Sequence, residues 1–272
     1  MILKHKLKTF YQKFCKLSIL DIALCGIFVG LWIVSSKFIG INLGFMRLGI
    51  IYVWVIIIGL IFTPWLSFLI AVIADNLTLI INGFGFWMWE YAIIYPLMAL
   101  LVSLLKNIFK SKNDLIWASF VTLIMIFIII FTLVISIIYR NFANKSTDGF
   151  IFNSWFVYVL IWMFIGILWI SFLIMMIKYF RHKNPRLKIN ISIFAIIALV
   201  IIIFVWIWGP IAQIRYLALH IGKSYLELLN NYDLYLIPRI LKTPIILPVY
   251  FIIVSSIYYA YNLLNFKFKN QW

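Results

Sequence analysis

Residues 48–74, LGIIYVWVIIIGLIFTPWLSFLIAVIA, contain no charged side chain. Such a run is long enough for one long helix across about 30 Å of hydrocarbon, or for two shorter ones divided by a turn. Thr63-Pro64 marks a turn, because proline favours the first turn of a helix and pushes the preceding residue out of helical geometry. The stretch therefore predicts two adjacent spans, Leu48 to Phe62 and Trp65 to Ile81. Without that split the total number of spans falls by one.

The rest of the chain repeats this pattern and predicts an all-α polytopic membrane protein with about eight transmembrane helices. Hydrophobic residues make up 66% of the 272 residues, charged residues make up 11%, and the mean hydropathy is +1.12. This composition leaves too little polar surface to cover a water-soluble globule. The other predicted spans are Leu17 to Phe38, Met88 to Leu105, Leu115 to Tyr139, Trp155 to Ile177, Ile189 to Gly209 and Pro244 to Leu264.

The net charge is +16, and most of the Lys and Arg residues lie in short segments between the apolar runs. This distribution disfavours nucleic-acid binding. Segments predicted to be cytoplasmic hold about twice as many Lys and Arg residues as the outer segments, so the positive-inside rule places both termini inside. We expect a single membrane domain, 1–272. Its parts are a basic cytoplasmic N-terminus (1–16), four spans (17–105), a further pair of spans with basic flanks (106–188), and two last spans (189–272) joined by an outer loop (210–243).

The histidines and cysteines give no sign of catalysis. His5, His182 and His220 all lie in predicted aqueous segments, so no span carries a histidine pair for a metal or a Ser-His dyad. Cys15 and Cys25 have neither a paired nor a metal-ligand spacing. We therefore expect no catalytic residue, no metal and no cofactor, and we predict that the protein is not an enzyme.

Charges at the ends of spans are informative, because an unpaired charge within the hydrocarbon costs at least a few kcal/mol. Asp75 and Glu90 lie on the outer side of the third and fourth predicted spans. Arg47, Arg215 and Arg239 flank the outer ends of other spans. Three guanidinium groups and two carboxylates are thus predicted on one side of the membrane. Snorkelling and topology explain any one of these residues equally well.

Aromatic residues accompany these charges. They surround the third connection (Phe84, Phe86, Trp87, Trp89, Tyr95) and the seventh (Trp206, Trp208, Tyr216). Trp and Tyr are also the usual residues of an interfacial belt. Aromatic rings, acids and arginines together suit a planar, anionic, heteroaromatic ligand, because rings stack on it and arginine binds its carboxylates. The candidate substrate-binding residues are Arg47, Asp75, Trp87, Trp89, Glu90, Trp208, Arg215 and Arg239.

Small residues recur on the first predicted helix. Gly26 and Gly30 are four residues apart, and Ala23 lies on a nearby face. Such a strip lets another helix approach closely. Packing within the chain and binding to a partner helix are both compatible with this pattern.

Three segments together resemble the substrate-binding S component of energy-coupling factor (ECF) transporters, folate-type group. Residues 21–30, DIALCGIFVG, resemble the first helix of that family. Residues 62–77 are similar to its tight turn at a proline, followed by a helix of small residues that ends in aspartate. Residues 236–242, LIPRILK, followed by Pro248, resemble the Pro-Arg-x-x-Lys entry to its final helix.

The resemblance implies a six-helix S-component bundle in which Leu115 to Tyr139 and Trp155 to Ile177 are an inserted pair. It implies a non-catalytic, folate-like vitamin-binding subunit in the cell membrane, and the abundance of Ile, Lys, Phe and Asn suggests a bacterial source with an AT-rich genome. This subunit would capture its ligand outside, release it inside, and dock on a transmembrane coupling subunit with two ATPases. Ala23, Gly26 and Gly30 would contact the coupling subunit.

The same resemblance suggests roles for the candidate site. Arg239 and Arg47 would bind ligand carboxylates, and Asp75 and Glu90 would bind ring amino groups or support the pocket. The tryptophans Trp87, Trp89 and Trp208 would stack on the ring. Three alternatives remain open: an S component for a different vitamin, a membrane protein with a structural or assembly role and no soluble ligand, and a membrane enzyme acting on lipid. The absence of a transmembrane histidine or clustered acids disfavours the enzyme.

Overall fold

The computed structural model describes residues 19–38, 40–43, 46–83, 87–109, 113–143, 154–222, 224–230 and 232–269. Residues 1–16, the predicted basic N-terminus, lie outside this part of the chain. Nearly all of the described residues are helical, which confirms the predicted all-α membrane fold. The one addition within them is a short β-hairpin, formed by β1 (Gly40–Leu43) and β2 (Met46–Gly49).

The helices follow the predicted spans in order, with a π-helical segment, Ile201–Trp208, between α8 and α9. They are α1 (Ile19–Phe38), α2 (Ile51–Ile61), α3 (Pro64–Ile81), α4 (Trp89–Ala92), α5 (Ile94–Phe109), α6 (Asp114–Ala143), α7 (Ser154–His182), α8 (Pro185–Val200), α9 (Gly209–Ile221), α10 (Tyr225–Asn230) and α11 (Tyr232–Lys269).

Seven stretches of the described chain are long and apolar enough to cross a membrane, and α2 is a shorter apolar helix. The predicted break at Thr63-Pro64 is confirmed, because Thr63 has extended geometry (φ −65°, ψ 156°) and Pro64 begins α3. The predicted span from Leu48 to Phe62 is corrected. Its first residues belong to β2, and the 11 residues of α2 extend only about 16 Å, roughly half the hydrocarbon thickness.

Residues 210–243, predicted to be an outer loop, are also corrected, because α9, α10 and the start of α11 occupy most of this segment. α9 ends before Gly222, whose φ of 71° is the left-handed conformation that commonly terminates helices. α11 continues through Pro238, Pro244 and Pro248. Proline is tolerated in membrane helices when neighbouring groups satisfy the freed backbone carbonyls. Three basic residues of this segment, Arg215, Arg239 and Lys242, lie along these helices.

The chain forms two compact units, of which unit 1 comprises residues 1–41 and 49–106. Here α1, α2 and α3 pack against one another. α2 is the core of the unit, since Ile56, Ile57 and Ile58 are completely buried. α5 approaches α2 closely at Gly59, where an added Cβ would lie 2.7 Å from the Val102 Cβ. Glycine at this position therefore permits the helix contact.

The carboxyl end of α2 is capped by side chains of unit 1. The Phe62 carbonyl accepts hydrogen bonds from the Ser103 hydroxyl (2.8 Å) and from the buried Lys106 ammonium. The Ser67 hydroxyl donates to the Ile58 carbonyl at 3.1 Å. A cation is favourable at a helix C-terminus because the helix dipole is negative there. The Ile58 carbonyl also accepts the helical Phe62 N–H at 3.0 Å, whereas the Ser103 and Lys106 side chains bond to the Phe62 carbonyl beyond the last turn of α2.

Unit 2 comprises residues 42–48 and 107–272, and α8 is its central helix. All residues from Ile191 to Val200 are buried, and α6, α7 and α11 pack around them. The Lys188 ammonium lies 2.7 Å from the Asp114 carboxylate, and the Trp117 indole N–H donates to the Ser192 hydroxyl at 2.9 Å. The predicted inserted pair is thus packed against α8, and its status as an insertion stays a prediction.

Candidate ligand-binding site

The π-helical segment changes which backbone groups bond to each other before α9. The Gly209 N–H donates to the Phe204 carbonyl, five residues earlier, instead of to the Val205 carbonyl four residues earlier. In this register the backbone N–H of residue 210 would donate to the Val205 carbonyl. Residue 210 is a proline, which has no N–H. The Val205 carbonyl therefore needs a donor from elsewhere.

Side chains of α11 supply donors to this part of the π-helical segment. Arg239 Nη1 donates to the Val205 carbonyl at 3.2 Å, and the Tyr232 hydroxyl donates to the Trp206 carbonyl at 3.0 Å. Irregular backbone at membrane depth is tolerated where protein groups satisfy it, and here α11 does so.

The guanidinium of Arg239 is held by two further acceptors. Its Nε donates to the Tyr235 carbonyl at 3.1 Å, and its Nη2 donates to Gln213 Oε1 at 2.7 Å. Arg239 itself is half-buried. A Cβ added at Gly209 would overlap with Arg239 Nη1. Glycine at position 209 therefore makes room for the guanidinium.

A hydrogen bond to the Thr243 hydroxyl joins the π-helical segment to α11. The fully buried Trp206 donates its indole N–H to the Thr243 hydroxyl at 2.9 Å. Thr243 donates in turn to the Arg239 carbonyl at 2.7 Å. Buried polar groups rigidify a structure when all of them are satisfied. We call Arg239, Gln213, Trp206, Tyr232 and Thr243, together with the Val205 carbonyl, the arginine network.

Of the predicted site residues in unit 2, Arg239 is at the centre of the arginine network. Trp208 is half-buried and directly precedes Gly209. Arg215 is exposed on α9 two residues after Gln213, and residues two apart do not share a helix face. Arg47 belongs to β2, and its side chain lies outside the described structure.

The other predicted residues belong to unit 1. Trp87 and Trp89 are 58% and 49% exposed, whereas Glu90 in α4 is buried. Asp75 is half-buried on α3. Exposed tryptophans suit ring stacking and equally suit a membrane interface. Each unit thus carries part of the predicted set, and convergence of the two parts into one site stays a prediction.

Sequence reasoning missed an aromatic cluster in unit 1. The Tyr95 ring lies 5.2 Å from the Trp32 ring and 5.8 Å from the Tyr52 ring. The Trp54 indole N–H donates to the Ser35 hydroxyl at 2.7 Å. Only Tyr95 belonged to the aromatic set noted in the sequence, because the others lie inside apolar runs where aromatic residues are ordinary. No three His, Cys, Asp or Glu side chains within the described ranges lie close enough together to hold a metal ion.

The family model described as the ECF-type riboflavin transporter, S component, matches residues 16–154, just over half of the chain. The chain belongs to this family. S components are membrane-embedded substrate-binding subunits that bind small vitamin-type molecules and work with transmembrane and ATPase subunits. The predicted ECF S component is therefore confirmed, as is a multi-pass membrane protein, whereas the folate-type group is not confirmed. No curated protein matches the chain.

The family match covers the first half of this S component and not the second. It covers α1 to α5 and continues through α6, the first helix of the predicted inserted pair. Only Ser154, the first residue of α7, falls within the match. The rest of α7, all later helices and the whole arginine network lie beyond it. The family therefore identifies the kind of protein, while the position of Arg239 is set by the geometry of unit 2.

Proposed function

We propose that this S component captures riboflavin from outside a bacterial cell membrane and releases it inward when coupled to its transporter. The observation that carries this proposal is the family match over residues 16–154, whose description names riboflavin. The arginine network supports it. The flavin ring has two carbonyl oxygens and, beside them, unprotonated ring nitrogens, and these atoms accept hydrogen bonds from guanidinium and amide donors.

Folate is the second candidate ligand, and the Arg239 side chain is the reason to retain it. Guanidinium groups bind carboxylates with two parallel hydrogen bonds, and folate carries two carboxylates whereas riboflavin carries none. The segment LIPRILK, residues 236–242, also resembles the folate-type group. Ligand charge therefore distinguishes the two candidates.

The remaining predicted residues keep their proposed roles within this function. Exposed Trp87 and Trp89 suit ring stacking, as does the half-buried Trp208. Asp75 and Glu90 suit hydrogen bonds from ring N–H groups or support of the pocket. Arg47 and Arg215 suit attraction of an anionic ligand. The arginines are expected to matter more for folate, because the Coulomb attraction is larger for a charged ligand.

The coupling subunit is proposed to bind α1. Ala23, Gly26 and Gly30 are exposed, and a Cβ added at Gly26 or Gly30 would meet no atom within 4 Å. Nothing described in this chain therefore uses the strip for close packing. A strip of small residues allows a partner helix to approach closely within a bilayer.

The test is to identify the ligand directly. Mass spectrometry of molecules retained by the protein in mild detergent, followed by equilibrium binding of riboflavin and folate, measures both candidates. Retained flavin or tight riboflavin binding supports the proposal, and a clear preference for folate replaces riboflavin by the second candidate. A protein that binds neither vitamin and recovers no ATPase subunits contradicts a transport role and favours a structural or assembly protein.

A further inference from the structure

The dipeptide Gly209-Pro210 follows the π-helical segment and begins α9. If the α-helical register continued here, the Gly209 N–H would bond to the Val205 carbonyl, and Pro210 would leave the Trp206 carbonyl without a donor. In the observed register the Gly209 N–H bonds to Phe204, and the carbonyl that lacks a helical donor is that of Val205. Pro210 thus creates an acceptor in either register.

Arg239 uses that acceptor and still has hydrogen-bonding capacity. A guanidinium has five N–H groups, and three of them bond to Tyr235, Val205 and Gln213. One N–H on Nη1 and one on Nη2 make no hydrogen bond to the part of the chain that the structure describes. These two donors on a half-buried guanidinium match a ligand with two neighbouring acceptor atoms.

Gln213 adds a further donor beside them. Its Oε1 accepts from Arg239, because the opposite amide orientation would set donor against donor. The Nε2 group is therefore turned away from the guanidinium. Arg239 and Gln213 together present N–H groups, which suits the acceptor-rich edge of a heteroaromatic ring or a carboxylate. Either chemistry would be bound by the same positioned guanidinium.

We propose that Pro210 and Gln213 are positioning residues, which hold the Arg239 guanidinium so that its two remaining N–H groups bind neighbouring acceptor atoms of the ligand. This inference rests on the proposed function, since it requires that a small ligand binds. It goes beyond the family match, because all three residues lie outside residues 16–154.

The first experiment measures binding of riboflavin and folate to Pro210→Ala, Gln213→Leu and Arg239→Ala, with Pro244→Ala as the matched proline control. Pro244 is an exposed proline within α11. Pro210→Ala and Gln213→Leu are expected to weaken binding at least tenfold, and neither should weaken it further when added to Arg239→Ala.

Gln213→Glu keeps the acceptor for Arg239 but adds a negative charge. Gln213→Glu should therefore weaken riboflavin binding less than Gln213→Leu does. Because folate is an anion, Gln213→Glu should weaken folate binding more than riboflavin binding.

A second measurement needs no ligand. The melting temperatures of wild type, Pro210→Ala, Arg239→Met and the double variant form a double-mutant cycle. Arg239→Met is expected to lower the melting temperature less in the Pro210→Ala background than in the wild-type protein. The backbone N–H that alanine supplies at this position would satisfy the carbonyl that Arg239 otherwise serves. A merely structural role for Pro210 predicts additive losses.

The outcomes are separable. Additive melting temperatures, or wild-type affinity in both Pro210→Ala and Gln213→Leu, overturn the positioning role even if Arg239→Ala still loses the ligand. Wild-type affinity in Arg239→Ala overturns the ligand contact. A wild-type protein that binds neither vitamin contradicts the proposed function and the ligand contact together, while the ligand-free cycle still decides whether Pro210 positions Arg239.

Discussion

At the scale of single residues, Gly59 controls how closely α5 approaches α2. A Cβ at this position would lie 2.7 Å from the Val102 Cβ and 2.8 Å from the Ala99 carbonyl oxygen. Neither neighbour moves without displacing backbone, so we expect Gly59→Ala to lower the free energy of unfolding by about 1–3 kcal/mol. Thermal unfolding in detergent measures this. Gly166→Ala on α7 is the control, because its Cβ would meet nothing within 4 Å, and equal losses in both variants would contradict the packing argument.

Arg239 carries the second prediction at this scale. Arg239→Ala should weaken ligand binding by about 1.5–3 kcal/mol, the usual value of a hydrogen bond to a charged group. The protein should still insert into the membrane. Arg239→Lys keeps the charge but loses the planar donor set, so it should restore little riboflavin binding and more folate binding. Equilibrium titration with both vitamins measures this, and full restoration of riboflavin binding by lysine would show that charge alone matters.

How much of the candidate site could be predicted depends on the kind of side chain. Arg239 could be found because a charge in an apolar setting is costly and so attracts attention. Gln213 and Tyr232 could not, since neutral polar residues are common at span ends and their partners are groups far away in sequence. The acceptor on Val205 arises from a change of helix register. No local sequence pattern reports such a change.

At the scale of helices, breaks were easier to predict than continuations. Thr63-Pro64 breaks the chain as expected, whereas Pro238, Pro244 and Pro248 all lie inside α11. The effect of proline depends on whether side chains nearby satisfy the freed carbonyls, and this is a tertiary property. For the same reason Gly209-Pro210 looked like the end of a span although α9 continues beyond it to Ile221.

The packing of α6 on α8 gives the third prediction. Trp117 on α6 is fully buried, its ring lies 4.9 Å from the Tyr179 ring, and it donates to Ser192. Trp117→Ala should therefore destabilise unit 2 by about 3–5 kcal/mol. Trp117→Phe loses chiefly the hydrogen bond and should cost about 1 kcal/mol. Thermal unfolding in detergent compares them, and a small effect of Trp117→Ala would show that α6 is dispensable to this unit.

At the scale of the whole molecule, the assembly with a coupling subunit makes the fourth prediction. Gly26→Leu and Gly30→Leu should reduce copurification of the transmembrane and ATPase subunits, because a leucine would fill the strip where a partner helix packs. Vitamin binding by the isolated protein should be unchanged. Ile27→Ala, on an exposed position of the same helix, is the control. Unchanged copurification in both leucine variants would place the coupling interface elsewhere.

Orientation in the membrane decides on which side the arginine network opens, and unit 2 allows a direct test. The stretch Pro185–His220 contains 36 residues and extends about 50 Å, so Lys183 before it and Ser224 after it must lie on opposite sides of a bilayer about 30 Å thick. Arg239 is near the start of α11, on the same side as Ser224. Outside capture therefore requires Ser224 to be external.

The fifth prediction follows from the excess of basic residues in the segments around Lys183. In a variant without Cys15 and Cys25, Ser224→Cys should react with a membrane-impermeant maleimide in intact cells. Lys183→Cys, in the exposed turn before α8, should react only after the cells are permeabilised. The reverse pattern would place the arginine network on the cytoplasmic side. A guanidinium facing inward would serve ligand release, and capture from outside would then depend on residues of unit 1.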